Sequence, residues 1–131
     1  MATREQRRAK LAFDHVSSVA ERREDERKQY ATMTHRLPSL LVNAGLCQAL
    51  FFVAARSEEP KRLLLDHLAA QLLGEGKGAK DLLNEARTAE LAKYLWLSDE
   101  ALVCAAWYRR MVQGVLKLEA GNADESTEGR A

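Results

Sequence analysis

The sequence contains no isoleucine, few β-branched residues, two prolines and two cysteines. Each shortage excludes something. Without Ile and with little Val and Thr there is no material for a sheet, while abundant Ala, Leu, Glu, Arg and Lys favour helix at nearly every position. Cys47 and Cys104 lie far from each other and from the three histidines, so neither a disulfide framework nor a CxxC redox or metal site is written here. Long apolar runs are missing as well. The longest, Ala49 to Ala55, is far short of the roughly 18 residues that cross a bilayer, so no membrane partner is expected. The opening "MATREQRRAK" is basic but leads into no apolar segment of the kind that follows in a secretory signal, and a cytoplasmic location is expected.

What is present reads as an all-α, compact bundle of about five to seven helices: one helical domain over 1–120, followed by an acidic, disordered tail over 121–131. A first helix over about Thr3 to Asp25 carries Ala9, Phe13, Val16 and Ala20 at helical spacing as its apolar face. Arg4, Arg8, His15 and Arg22 share a neighbouring stripe. A second helix, about Glu26 to Asn43, sets Tyr30, Met33, Leu37, Leu40, Leu41 and Ala44 against a polar side of Lys28, Thr32, Arg36, Ser39 and Asn43. Pro38 should kink it or begin a new helix, because proline offers no N–H and crowds the preceding turn. Gly45 then suits a helix end.

The third helix, Leu46 to Arg56, is apolar almost all round and is expected at the centre of the bundle with Phe51, Phe52 and Val53 all buried. "SEEP" at 57–60 starts a fourth helix whose core set is Leu64, Leu65, Leu68 and Leu72. Short helices over about Ala79 to Ala86 and Thr88 to Trp96 precede a last one, capped by Ser98 and reaching about Ala120. Its core side is Ala101, Ala105, Tyr108, Val112 and Val115. Val103, Trp107, Arg110, Gly114 and Lys117 project the other way, and a tryptophan beside a glycine there makes Val103, Trp107 and Gly114 candidates for a subunit interface, the alternative being that Trp107 folds back over Met111 at the edge of the core.

Chemistry is harder to find. "GEGKGAK" at 74–80 looks like a phosphate loop, but Gly78 stands where a Walker loop needs Ser or Thr, and a helix precedes it instead of a strand. A helix stop at Gly74 with a surface loop fits better. His15, His35 and His67 fall on three helices with no metal-ligand spacing, and the side chains of the Asp14-His15 and Asp66-His67 neighbours diverge on a helix, so they form no acid–base pairs. No metal ligands, no cofactor and no catalytic residues are assigned. Charge is uneven: net +3 over residues 1–36, +1 over 37–118 and −3 from Glu119 on, which suits an anionic partner for the N-terminal part as well as it suits a solvated mixed-charge helix.

The stretch "KQYATMTHRLPSLLVNAGLCQALFFVAA", with Tyr30, Leu37-Pro38, Asn43, Gly45-Leu46, Gln48, Ala49 and Phe52, resembles the signature of the small subunit of Cmr-type (type III-B) CRISPR RNA-silencing complexes. "REQRRAKLAFDHVSSVAE" resembles that family's basic first helix, and "LWLSDEALVCAAWYRRMVQGVL" its final helix. The resemblance implies a small, helical, non-catalytic subunit for antiviral defence. It would stack with copies of itself and with the other subunits of the effector complex, among which the backbone subunits cleave the target, and help to hold guide RNA and target RNA. The RNA-binding candidates are Arg4, Arg8 and Arg22 on the first helix, Lys28 and Arg36 on the second, and Arg109 and Arg110 on the last. The competing reading is a stand-alone helical DNA-binding regulator. An almost wholly apolar third helix disfavours it, since a recognition helix must offer polar side chains to base edges. A nuclease using histidines across the bundle is a more distant third.

Overall fold

The structure is a computed structural model that describes residues 1–119; the expected acidic tail lies outside the described residues. Six α-helices follow in order: α1 (Arg4–Val19), α2 (Glu24–Ala44), α3 (Leu46–Ala54), α4 (Glu59–Leu73), α5 (Ala79–Thr88) and α6 (Leu91–Met111), with a widened π-helical turn over Val112–Leu116. Local chemistry sets these bounds. Thr3 and Gln6 form a reciprocal capping box at the start of α1. Glu24, Asp25 and Glu26 place negative charge at the positive end of α2. Pro60 sits in the first turn of α4, where its missing N–H costs nothing. Gly45 and Gly74 end α2 and α4 at φ of +89° and +111°, where any Cβ would be strained.

The core joins residues from all six helices. α2 packs on α4 and α6, α1 on α6, and α4 on α5. Tyr30, Met33 and Leu37 of α2, Leu64, Leu65 and Leu68 of α4, and Leu97, Ala101, Ala105 and Tyr108 of α6 are fully enclosed. The expected core set of α4 is buried throughout, and Cys104 is an enclosed free thiol. Pro38 stands inside one continuous α2, which leaves the Thr34 carbonyl without its usual i+4 amide donor.

Several expectations need correction. α1 ends at Val19, so Arg22 lies in the α1–α2 connection and cannot extend a stripe on that helix. The buried face of α1 is Ala12, Val16 and Val19, whereas Phe13 is 49% exposed and Ala20 is on the surface. The helix is therefore rolled toward its Arg4–Arg8–His15 side. Thr32 is buried, its hydroxyl donating to the Lys28 carbonyl, while Ala44 is exposed. Ser98 does not cap a helix: α6 runs through it, because no glycine or proline interrupts residues 91–111 and Leu97, Ala101 and Tyr108 give one continuous buried stripe. At its far end the α-helix gives way at Met111, one turn before Gly114, and Lys117 adopts a left-handed conformation. On α3 only Val53 of the three expected residues is enclosed; Phe51 is 40% exposed and Phe52 half-buried, because α2, α4 and α5 wrap one side of this nine-residue helix and leave the other open.

Candidate nucleic-acid interface

Three basic regions can be built from the sequence upward. The first lies where α1 crosses α6. The roll of α1 brings Arg8 inward, where its guanidinium donates to both carboxylate oxygens of Glu100 on α6, at 2.5 and 2.9 Å. Its side chain is only 17% exposed, and the pairing raises its pKa further. Gln71 of α4 donates to the Arg8 backbone carbonyl at 3.0 Å. Arg4, one turn earlier, keeps 64% of its side chain exposed and approaches the same carboxylate at 3.6 Å. Together with Arg7 and the 46%-exposed Trp96 these residues line a cavity of about 210 Å³.

The second region joins α2 and α3. Arg36 and Arg56 both stack on the Phe52 ring, their guanidinium carbons 5.1 and 4.3 Å from its centroid. Lys28, by contrast, pairs with Glu24 one turn before it, and Arg22 is held by Glu59 at 2.7 Å. The third region is the C-terminal end of α6. Arg109 and Arg110 are exposed there, and neither has an ion-pair partner among the described residues. With Pro38, Ala106 and Gln113 they border a groove of about 300 Å³. Arg110 also borders a larger groove of about 520 Å³ with Glu5, Val103, Ala106 and Trp107. Two of the interface candidates thus share a wall with a basic one. Gly114 is exposed just beyond, in the π-helical turn.

The seven basic candidates accordingly differ in availability. Arg109 and Arg110 point into solvent unpaired, Arg4 and Arg36 are exposed, and Arg8, Arg22 and Lys28 each already hold a carboxylate. Sequence reasoning passed over Arg56 and Trp96. A signal for the latter existed, since Trp96 and Glu100 are one turn apart on a single helix face, as are Arg4 and Arg8.

The histidines hold a further surprise. His15 and His67, expected to be separate, stack ring on ring with centroids 4.1 Å apart and planes within 7°. His15 Nδ1 lies 2.7 Å from the Tyr108 hydroxyl, and His67 Nδ1 lies 2.7 Å from that of Tyr30. The Tyr108 hydroxyl also donates to the His67 carbonyl at 3.3 Å. Burial, with the neighbouring His15 adding to it, lowers the His67 pKa to about 3 and also lowers that of His15. Both rings are neutral near pH 7, and burial pushes both tyrosine hydroxyls well above their usual range. His35 is used elsewhere, with its Nε2 2.9 Å from the Leu118 carbonyl.

The "GEGKGAK" loop joins α4 to α5, and carboxylates occupy its amides: Gly78 N–H donates to Asp81 and Ala79 N–H to Asp66. Among the described residues no group of three or more His, Cys, Asp or Glu side chains is placed to hold a metal ion, and no helix is long and apolar enough to cross a membrane.

Comparison with known proteins decides the family. The model of a family described as CRISPR-associated protein (Cas_Cmr5) matches residues 4–115. The chain belongs to the Cmr5 family. It is similar to a Thermus thermophilus protein named CRISPR system Cmr subunit Cmr5, with 38% identity over 117 residues that cover 89% of this chain and 99% of that one. It is similar too to the crystal structure of a CRISPR-associated Cmr5 family protein from the same organism, with a TM-score of 0.81 at 37% identity, over 88% of this chain and 99% of the other. The α1–α6 crossing, the Phe52 stack and the α6 grooves all lie within the span that the family model matches.

Proposed function

We propose that this chain is a non-catalytic structural subunit of a Cmr-type (type III-B) CRISPR RNA-guided complex of the cytoplasm that acts in antiviral defence. In that complex it packs against copies of itself and other subunits, and its basic helix faces help to hold guide and target RNA. The observation that carries the reading is the family match over nearly every helix, to relatives of which one is named as a Cmr subunit. The groove beside Val103 and Trp107 gives such packing an apolar seat, and the unpaired Arg110 on its border, with Arg109 in the adjoining groove, gives RNA phosphates a place to bind without reading sequence. The non-enzymatic part of the reading is supported by the state of the histidines: a neutral pair, His67 buried and His15 half-buried, with each ring already bonded to a tyrosine hydroxyl, is poorly placed to exchange protons with a substrate. A free-standing DNA-binding regulator gains no support, since α3 turns only apolar side chains and Gln48 to its surroundings.

Affinity purification of the tagged chain from its host, with sequencing of the bound RNA, tests the proposal. Recovery of other Cmr subunits together with CRISPR-derived RNA is the expected result. Recovery of the chain alone, or on specific DNA sites, would sink it.

A further inference from the structure

The cavity between α1 and α6 combines features that no phosphate-binding surface needs. Trp96 leaves almost half of its surface exposed, and among the described residues no other ring or guanidinium stacks on its indole. Around it stand three arginines and a single carboxylate. Glu100 is already satisfied by Arg8, so the pocket keeps an excess of positive charge carried by Arg4 and Arg7. At its base the Arg8 guanidinium is held by Glu100 and the Arg8 carbonyl by Gln71 from a third helix, and Trp96 stands in the second turn of α6. An open aromatic face beside exposed guanidinium groups is the arrangement that takes an unpaired base by stacking and its flanking phosphate by charge. A double helix offers no such base, because its faces are already stacked.

We propose that this pocket binds a single, unpaired nucleotide of single-stranded RNA, with Trp96 stacking on the base and Arg4 and Arg7 on the adjoining phosphates. The inference rests on the RNA-binding reading above and deepens it: most of the basic surface would be indifferent to strandedness, whereas this pocket would prefer an unpaired strand.

The test is a fluorescence and affinity titration of the full chain at low salt with a short oligoadenylate, alone or annealed to its complement. The single strand is expected to quench tryptophan emission strongly in the wild-type chain and much less in Trp96→Phe, where only Trp107 emits and which should retain most of the affinity because a phenyl ring still stacks. Trp96→Ala should weaken single-strand binding by roughly 5- to 150-fold, the range that base stacking on an aromatic side chain supports, and leave duplex binding unchanged. Replacing Arg4 and Arg7 together should weaken binding and flatten its salt dependence. If RNA binds with normal salt dependence but Trp96→Ala changes nothing, the pocket is rejected while the RNA-binding reading stands. Failure of both RNA forms to bind at any concentration reached would reject both readings. Quenching that follows protein concentration in place of RNA would reject the pocket as a nucleotide site and make Trp96 a contact between copies.

Discussion

The two ends of α6 treat the same residue type in opposite ways. Toward its N-terminal half, Glu100 takes Arg8 of α1 into a two-bonded pair, so that apparent surface charge becomes an internal tie between helices, while Arg4 only approaches the same carboxylate at 3.6 Å and keeps most of its side chain exposed. Toward its C-terminal end Arg109 and Arg110 meet no carboxylate among the described residues and remain open to solvent. Basic residues that are indistinguishable by type therefore divide into structural and available ones according to whether a neighbouring helix supplies an anion. An arginine that already holds a half-buried carboxylate must give up that pairing before it can bind phosphate, whereas an unpaired one sheds only water and counterions.

The comparison extends to the middle of the bundle, where polarity is internal and uncharged. The largest expected effect there is the loss of packing. Leu50→Ala on the closed side of α3 should destabilise by about 2 to 5 kcal/mol, and Phe51→Ala on its open side by much less, since only a fully enclosed residue leaves a cavity. Urea melts of the two variants check this. Equal losses would mean that the outer side of α3 is covered in solution.

Next in size is the response to acid. His67 is held neutral in the fold with a pKa of about 3, whereas the unfolded chain protonates it near the ordinary histidine value. Protonation thus favours the unfolded state, so stability is full above the unfolded pKa and declines as pH falls below it. Between about pH 8 and pH 5 this single group should remove about 2 kcal/mol, and the lowered His15 pKa adds to the loss in the same direction. Denaturant melts across that range should show the decline in the wild-type chain and a smaller one in His67→Gln.

Smaller again is the α1–α6 tie. Arg8→Ala leaves Glu100 short of its bidentate partner with only Arg4 nearby, and should cost about 1 to 2 kcal/mol. Removing both charges in Arg8→Ala/Glu100→Ala should recover part of that loss. If Arg8→Ala melts like wild type, the contrast between the two ends of α6 is not energetic.

How much of this was legible follows from which interactions leave a local trace. Gly45, Pro60, Gly74 and the leucines of α4 act through neighbours within a few positions, and the structure places them as read. The roll of α1 was not legible, because Ala9–Phe13–Val16–Ala20 and Ala12–Val16–Val19 both satisfy a helical period. The partner decides between them, since Arg8 finds Glu100 and His15 finds His67 and Tyr108 only once the helices pack. The same holds for the site. Arg109 and Arg110 could be named from the sequence, but that Arg8, Arg22 and Lys28 were already taken by Glu100, Glu59 and Glu24 could not be told from spacing in two of the three cases. Only the Glu24–Lys28 pair, one turn apart on α2, was written locally.

The smallest effect on the fold, and the sharpest on the proposed function, belongs to Arg109 and Arg110. Replacing both by alanine should change stability by less than about 0.5 kcal/mol, because neither is buried and neither holds an ion pair among the described residues. If they bind phosphates, RNA affinity should fall about equally for unrelated sequences, and the slope of log affinity against log salt should become shallower by roughly 0.7 for each single-strand phosphate no longer neutralised. The companion variant is Arg22→Ala, whose guanidinium is engaged by Glu59 at 2.7 Å and which should alter that slope far less. Measured side by side in the assembled complex, where many weak interactions act together, the two variants isolate charge availability from charge itself. Equal slopes would mean that pairing within the chain does not decide which arginines reach RNA.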